Sequence, residues 1–117
     1  MTSNDSKATL RLDEGGQWLI RSTSLTVCFL DLDTRRLLRD RGPGSSILPY
    51  DGLWVPLVEV RSQRGDAGVI RVGDRHEFLT DPAGGAHDFR FWIPRVCVAI
   101  EPVTASDLPT EQGPSTR

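Results

Sequence analysis

The stretch V27-C28-F29-L30-D31-L32-D33-T34-R35-R36-L37-L38 decides how the chain is read. Four apolar residues run into Asp31, Leu32, Asp33 and Thr34, close to the way a phosphoryl-transfer aspartate is set at the end of a buried strand. The same residues also fit a turn between two antiparallel strands, because Asp and Thr favour turns by bonding their own backbone. A two-residue turn at Asp33-Thr34 would place Asp31 opposite Arg36 and Phe29 opposite Leu38, an ion pair and an apolar pair on one face. It would also demand a positive φ at Thr34, which a β-branched residue resists. A four-residue loop over Asp33–Arg36, pairing Leu32 with Leu37, avoids that strain.

The nucleophile pattern of haloacid-dehalogenase-like phosphotransferases is Asp-x-Asp-x-Thr or Val. Here Thr34 follows the second Asp directly and Arg35 stands in its place. That chemistry also needs a doubly wound α/β scaffold, for which 117 residues without βαβ alternation leave no room. A calcium loop is equally poor a match, since Asp31 and Asp33 flank Leu32 in a strand-like run and only Asp40 lies near.

Outward from this hairpin, two-residue alternation and turn punctuation dominate, with no sustained helical stripe. Strands are expected at 17–22, with Trp18 and Ile20 on one face, at 25–32 and at 36–41. Gly42-Pro43-Gly44-Ser45-Ser46 closes that unit, and residues 47–52 form an irregular connector. The run 53–61 contains Pro56, which marks an edge strand or a bulge. In V69-I70-R71-V72-G73-D74-R75-H76-E77-F78, Gly73-Asp74 suits a two-residue type II′ hairpin. After the loop 80–88 come 89–93, where Phe89, Phe91 and Ile93 alternate with Arg90 and Trp92, and then 96–100. If the first three face in, Arg90 and Trp92 face out; otherwise Trp92 covers a second apolar layer or is half-buried by the connector containing Tyr50 and Trp54. The expected fold is all-β, a small antiparallel barrel or sandwich of six to seven short strands. Residues 8–101 form its single domain, and the polar tails 1–7 and 102–117 are too poor in large apolar groups to offset ordering entropy.

The segment 18–44 resembles the opening half of a set of small uncharacterised actinobacterial proteins. It does so through Trp18, Ser22, Thr23, Ser24, Leu30, Asp31, Leu32, Asp33, Arg39, Pro43 and Gly44. The resemblance implies an all-β fold and brings no activity with it. Thirteen of fourteen basic residues are Arg, the coding bias of a GC-rich genome, which agrees with such a source.

Residues 17–101 carry eleven Arg against eleven acids, so the core lacks the broad basic footprint of a duplex binder. No apolar run reaches membrane-spanning length and no secretory leader is evident, so a cytoplasmic, non-membrane protein is expected. Cys28 and Cys97 lie in apolar runs and read as reduced, packed thiols, with a mutual disulfide as the alternative. His76 and His87 each precede an acid, but no nucleophile motif accompanies them, and a zinc site with a cysteine would lack paired spacing. Arg64-Gly65-Asp66 reads as a polar turn. No catalytic residue, metal or cofactor is expected. The candidate binding residues are Arg90, Trp92, Arg95 and Trp54, because Trp beside Arg is the composition of an interface hot spot.

The expected function is a non-enzymatic protein-binding or accessory module, engaging a protein partner or a second copy of itself through the Pro56 strand or around Trp92. The alternative is a single-stranded nucleic-acid binder using Trp92 and Trp54 with Arg36, Arg39 and Arg41. An unrecognised enzyme or metal protein stands third.

Overall fold

In the computed structural model, which describes residues 6–82 and 89–111, the opening stretch is a hairpin. Strands β3 (Val27–Asp31) and β4 (Arg36–Asp40) pair with Asp31 opposite Arg36, Leu30 opposite Leu37 and Phe29 opposite Leu38. This is the register of the tight alternative, and Leu32 does not pair with Leu37. The loop nevertheless has four residues, and the positive φ falls on Arg35 (57°) rather than Thr34, so no β-branched residue is strained. No Asp31–Arg36 ion pair forms. The Asp31 carboxylate instead accepts from Gln17 Nε2 (3.1 Å) and from the Asp33 N–H (3.2 Å). Asp33 accepts from the Gly16 N–H (2.9 Å) and Gln17 Nε2 (2.8 Å), and these bonds hold its carboxyl below the usual range. Both carboxylates thus staple the hairpin tip to the Gly15–Gln17 turn.

Around this hairpin runs a seven-stranded antiparallel sheet. Its further members are β2 (Gln17–Ser22), β5 (Trp54–Ser62), β7 (His76–Thr80), β8 (Arg90–Trp92) and β9 (Cys97–Pro102), in the order β8-β7-β5-β4-β3-β2-β9. A two-stranded sheet of β1 (Thr9–Arg11) and β6 (Val69–Arg71) completes an all-β, open architecture that is not a closed barrel. Among the described residues nine strands form rather than six or seven, because pieces as short as three residues find partners. The core lies between the sheets: Leu10 and Ile70 from the small sheet and Leu30, Val60, Phe78 and Ile100 from the large one are essentially fully buried.

Pro56 sits on an interior strand, not an edge. β5 pairs with β4 as far as Pro56 and with β7 from Leu57 onward, with a bulge between Leu57 and Glu59. The residue without a backbone donor therefore stands where the strand changes partners and the sheet bends.

The expected Gly73-Asp74 hairpin does not form. A turn is present, with Gly73 at φ 95° and the Asp74 N–H donating to the Arg71 carbonyl (3.2 Å), but the flanking strands diverge. β6 goes to β1, while β7 goes to β5 and β8. The turn's backbone instead serves β9: Gly73 N–H donates to the Cys97 carbonyl (2.8 Å) and Cys97 N–H to the Asp74 carbonyl (2.9 Å). Local turn chemistry was legible, and long-range pairing overrode its usual consequence.

The domain also extends past residue 101. β9 runs to Pro102, a single 3-10 turn follows at Ala105–Asp107, and the Trp54 indole donates to the Pro109 carbonyl (3.0 Å). At the other end Lys7 N–H donates to the Ile100 carbonyl (3.0 Å), so the fold begins before Ala8. Residues 1–5 and 112–117 lie outside the described residues. Cys28 and Cys97 are free and buried; burial raises the Cys28 thiol and pushes Cys97 up to about 11, so neither is a ready thiolate. No described helix is long and apolar enough to cross a membrane.

Candidate binding site

β8 is the outermost strand of the large sheet and pairs only with β7 among the described residues. Its parity is that of the alternative in which Trp92 is half-buried. Trp92 faces inward, opposite Phe78 with ring centroids 5.5 Å apart, and Phe91 faces out at 63% exposure, flanked by the exposed Phe89 and Ile93. Counting apolar residues leaves the face open, since a shift of one residue exchanges the two faces of a strand. What decides it is the partner: the Phe78 ring and the Arg39 guanidinium, 5.4 Å from the Trp92 ring, receive an indole on the inner side.

Arg39 is the post of this region. From the middle of β4 its Nη1 donates to both Asp51 oxygens (2.7 and 2.6 Å) and its Nη2 to the Ser46 carbonyl (3.2 Å). Asp51 Oδ2 also accepts the Leu48 N–H (2.8 Å), so the connector 46–51 is clamped to the sheet through one nearly buried ion pair. The clamp forces Tyr50 to φ 71°, a left-handed conformation costly for a non-glycine residue, and sets its ring 5.8 Å from the Arg90 guanidinium.

Two hollows open on either side of the Arg39–Trp92 post. Beneath Phe91 lies an apolar pocket of about 150 Å³ lined by Leu37, Pro49, Leu53, Val55 and Trp92, with Arg90 at its rim. On the other side is a polar cleft of about 560 Å³ between the loops 22–26, 43–46 and 93–95. Arg75, whose Nε donates to the Pro94 carbonyl (2.9 Å), together with Arg90 and Arg95, has no carboxylate partner among the described residues.

Of the four expected site residues, Arg90, Trp92 and Arg95 are brought together, with Trp92 as a wall rather than an outward anchor. Trp54 belongs elsewhere: its indole donates to Pro109 and its backbone N–H to the Glu111 carboxylate (2.9 Å), so the C-terminal segment covers it. Neither ring is left as a platform for unpaired bases. Arg39 is spent on Asp51, and Arg41 donates to the Ser45 carbonyl (3.1 Å). Residues that sequence reasoning missed are Phe91 as an exposed side chain, Tyr50 and the hydroxyls Ser24, Thr26 and Ser45. The turn-forming runs 43–46 and 50–52 were the available signal, but they do not say what the loops face.

A buried Ser62, Asp74 and His76 resemble catalytic residues in type alone. Ser62 Oγ donates to Asp74 Oδ2 (3.2 Å), Arg64 pairs with Asp74 Oδ1 (2.9 Å), and His76 Nε2 accepts the Arg71 N–H (3.0 Å). The histidine nitrogen that would take a proton from a serine is already occupied, so the trio locks the turn. The Arg64-Gly65-Asp66 turn is likewise internally paired, Arg64 to Asp74 and Asp66 to Arg71. His87 lies outside the described residues. No group of three His, Cys, Asp or Glu arranged for a metal occurs among the described residues. Comparison with protein-family models, with curated proteins and with solved structures finds no match to this chain.

Proposed function

We propose that the protein is a non-enzymatic binding domain that takes an extended segment of a partner protein as an added strand along β8. The observation that carries this reading is the outer β8 edge, unpaired among the described residues, where exposed Phe91, flanked by exposed Phe89 and Ile93, lines an apolar pocket. An unpaired edge supplies main-chain donors and acceptors, and a side-chain pocket beside it supplies selectivity. The pocket suits one apolar side chain, while Arg75, Arg90 and Arg95, without carboxylate partners among the described residues, favour acidic residues in the same segment.

A displayed library of random ten-residue peptides, panned on the full chain, tests this. The expected result is enrichment of extended sequences combining an apolar anchor with acids, lost in Phe91→Asp, with amide exchange slowed at residues 90–92 on binding. Enrichment indifferent to Phe91→Asp, or no enrichment, overturns the reading. A dimer in solution that Phe91→Asp dissolves would identify the added strand as that of a second copy.

A further inference from the structure

We infer that the polar cleft on the far side of Trp92 is a binding site for a phosphoryl oxyanion, formed by Arg95 with the hydroxyls of Ser22, Ser24 and Ser45. This inference does not depend on strand addition at β8.

The cleft is built, not incidental. Gly42 packs so closely on the loop 22–26 that a Cβ there would come within 2.4 Å of the Leu25 carbonyl carbon. The Gly42 N–H donates to Thr26 Oγ1 (2.9 Å), which donates to Ser45 Oγ (2.7 Å), zipping two walls together. The Thr23 N–H, bonded to the Val96 carbonyl (3.1 Å), ties the 22–26 loop to the segment just beyond Arg95.

Hydrogen-bond direction then sets what the cleft offers. Ser22 Oγ accepts the Ser24 N–H (3.1 Å), Ser24 Oγ accepts the Thr26 N–H (3.0 Å), and Ser45 Oγ accepts from Thr26. Each of these oxygens already receives a proton from the protein, which leaves its own O–H to donate. Ser24 and Ser45 oxygens also share a long hydrogen bond (3.5 Å) in which either is the donor, so one of these two O–H groups stays free for a ligand beside that of Ser22. No Asp or Glu lines the cleft among the described residues. The charge of Arg39 is met by Asp51, whereas Arg95 on the lining and Arg41 behind Ser45 have no carboxylate partner there. A site offering donors and uncompensated guanidinium selects an oxyanion, and donors on more than one wall suit the several oxygens of a phosphoryl group better than the two of a carboxylate. At about 560 Å³ the cleft also has room for the group that carries the phosphate.

The test is a titration of the isotope-labelled full chain with inorganic phosphate at low ionic strength, followed by amide chemical shifts. Saturable shifts confined to residues 22–26, 43–46 and 93–95 are expected, with affinity falling about tenfold in Arg95→Gln and unchanged in Phe91→Asp. Arg95→Lys should recover part of the loss, because it restores the charge without the fork. Equal response to acetate, no saturable response, or shifts unaffected by Arg95→Gln overturns the proposal. A phosphoserine peptide binding more tightly than free phosphate identifies a modified side chain as the source of the group, and the reverse identifies a free phosphate compound. Because Phe91→Asp removes only the proposed strand addition, the two readings fail separately.

Discussion

The two outer strands of the large sheet are finished differently. β9 is sealed at two points: Lys7 bonds to Ile100, and the Gly73-Asp74 turn bonds twice to Cys97, so these backbone groups are met within the chain. β8 has no such cover among the described residues and carries exposed Phe91 and Ile93 on or beside it. A sheet edge is a template for another strand, and proteins that must stay alone cover or charge it. The contrast teaches that the chain had the means to close an edge and, among the described residues, used them at one end only. Closure at β9 came from residues distant in sequence, the N-terminal segment and the turn before β7. It is therefore part of the fold's stability, whereas the β8 edge is separable from it.

Three substitutions sharpen or break this contrast. At the sealed edge, Ile100→Ala removes a fully buried side chain from the strand that Lys7 bridges, and should cost about 2–5 kcal/mol by urea denaturation. A loss well below that range would mean the sealed edge is not integral. Next in size is the effect of pH through His76, which lies under the turn that seals β9. Burial lowers its pKa, more than the nearby Asp74 raises it. The unfolded chain therefore binds the proton first, so stability is full above about pH 6.5 and falls as the pH drops below it, by at most about 1.4 kcal/mol per pH unit. His76→Gln, which keeps an acceptor for the Arg71 N–H, should flatten that slope between pH 7.5 and 5.5; an unchanged slope would assign it to other groups. Smallest is Phe91→Ser at the open edge, expected to shift stability by less than about 0.5 kcal/mol because the ring is mostly exposed. A large loss there would show that β8 is as integral as β9.

Much of this was legible along the chain. Period-two alternation marked strands over 17–22, 25–32 and 36–41, which form as 17–22, 27–31 and 36–40, and the turn residues Asp33 and Thr34 marked the hairpin between the last two. Short loops leave few ways to pair neighbours, so even the register of that hairpin was among the alternatives. The site was less legible. Arg90, Trp92 and Arg95 were found from composition, but alternation left open which faces Trp92 and Phe91 take, and Trp54 was grouped with a surface from which the C-terminal segment withholds it.

The sequence by itself determined the all-β class and the β3–β4 hairpin that Asp31 and Asp33 flank. Each follows from alternation or turn chemistry, which are properties of neighbouring residues. Only the tertiary structure decided that β6 joins β1 rather than β7, that Trp92 turns inward, and that Ser22, Ser24, Ser45 and Arg95 share one cleft. Those outcomes rest on contacts between segments far apart in the chain, such as Phe78 with Trp92 and Gly42 with Leu25. A strand's facing depends on the partner that receives its side chains, and the pattern along the strand does not contain that partner.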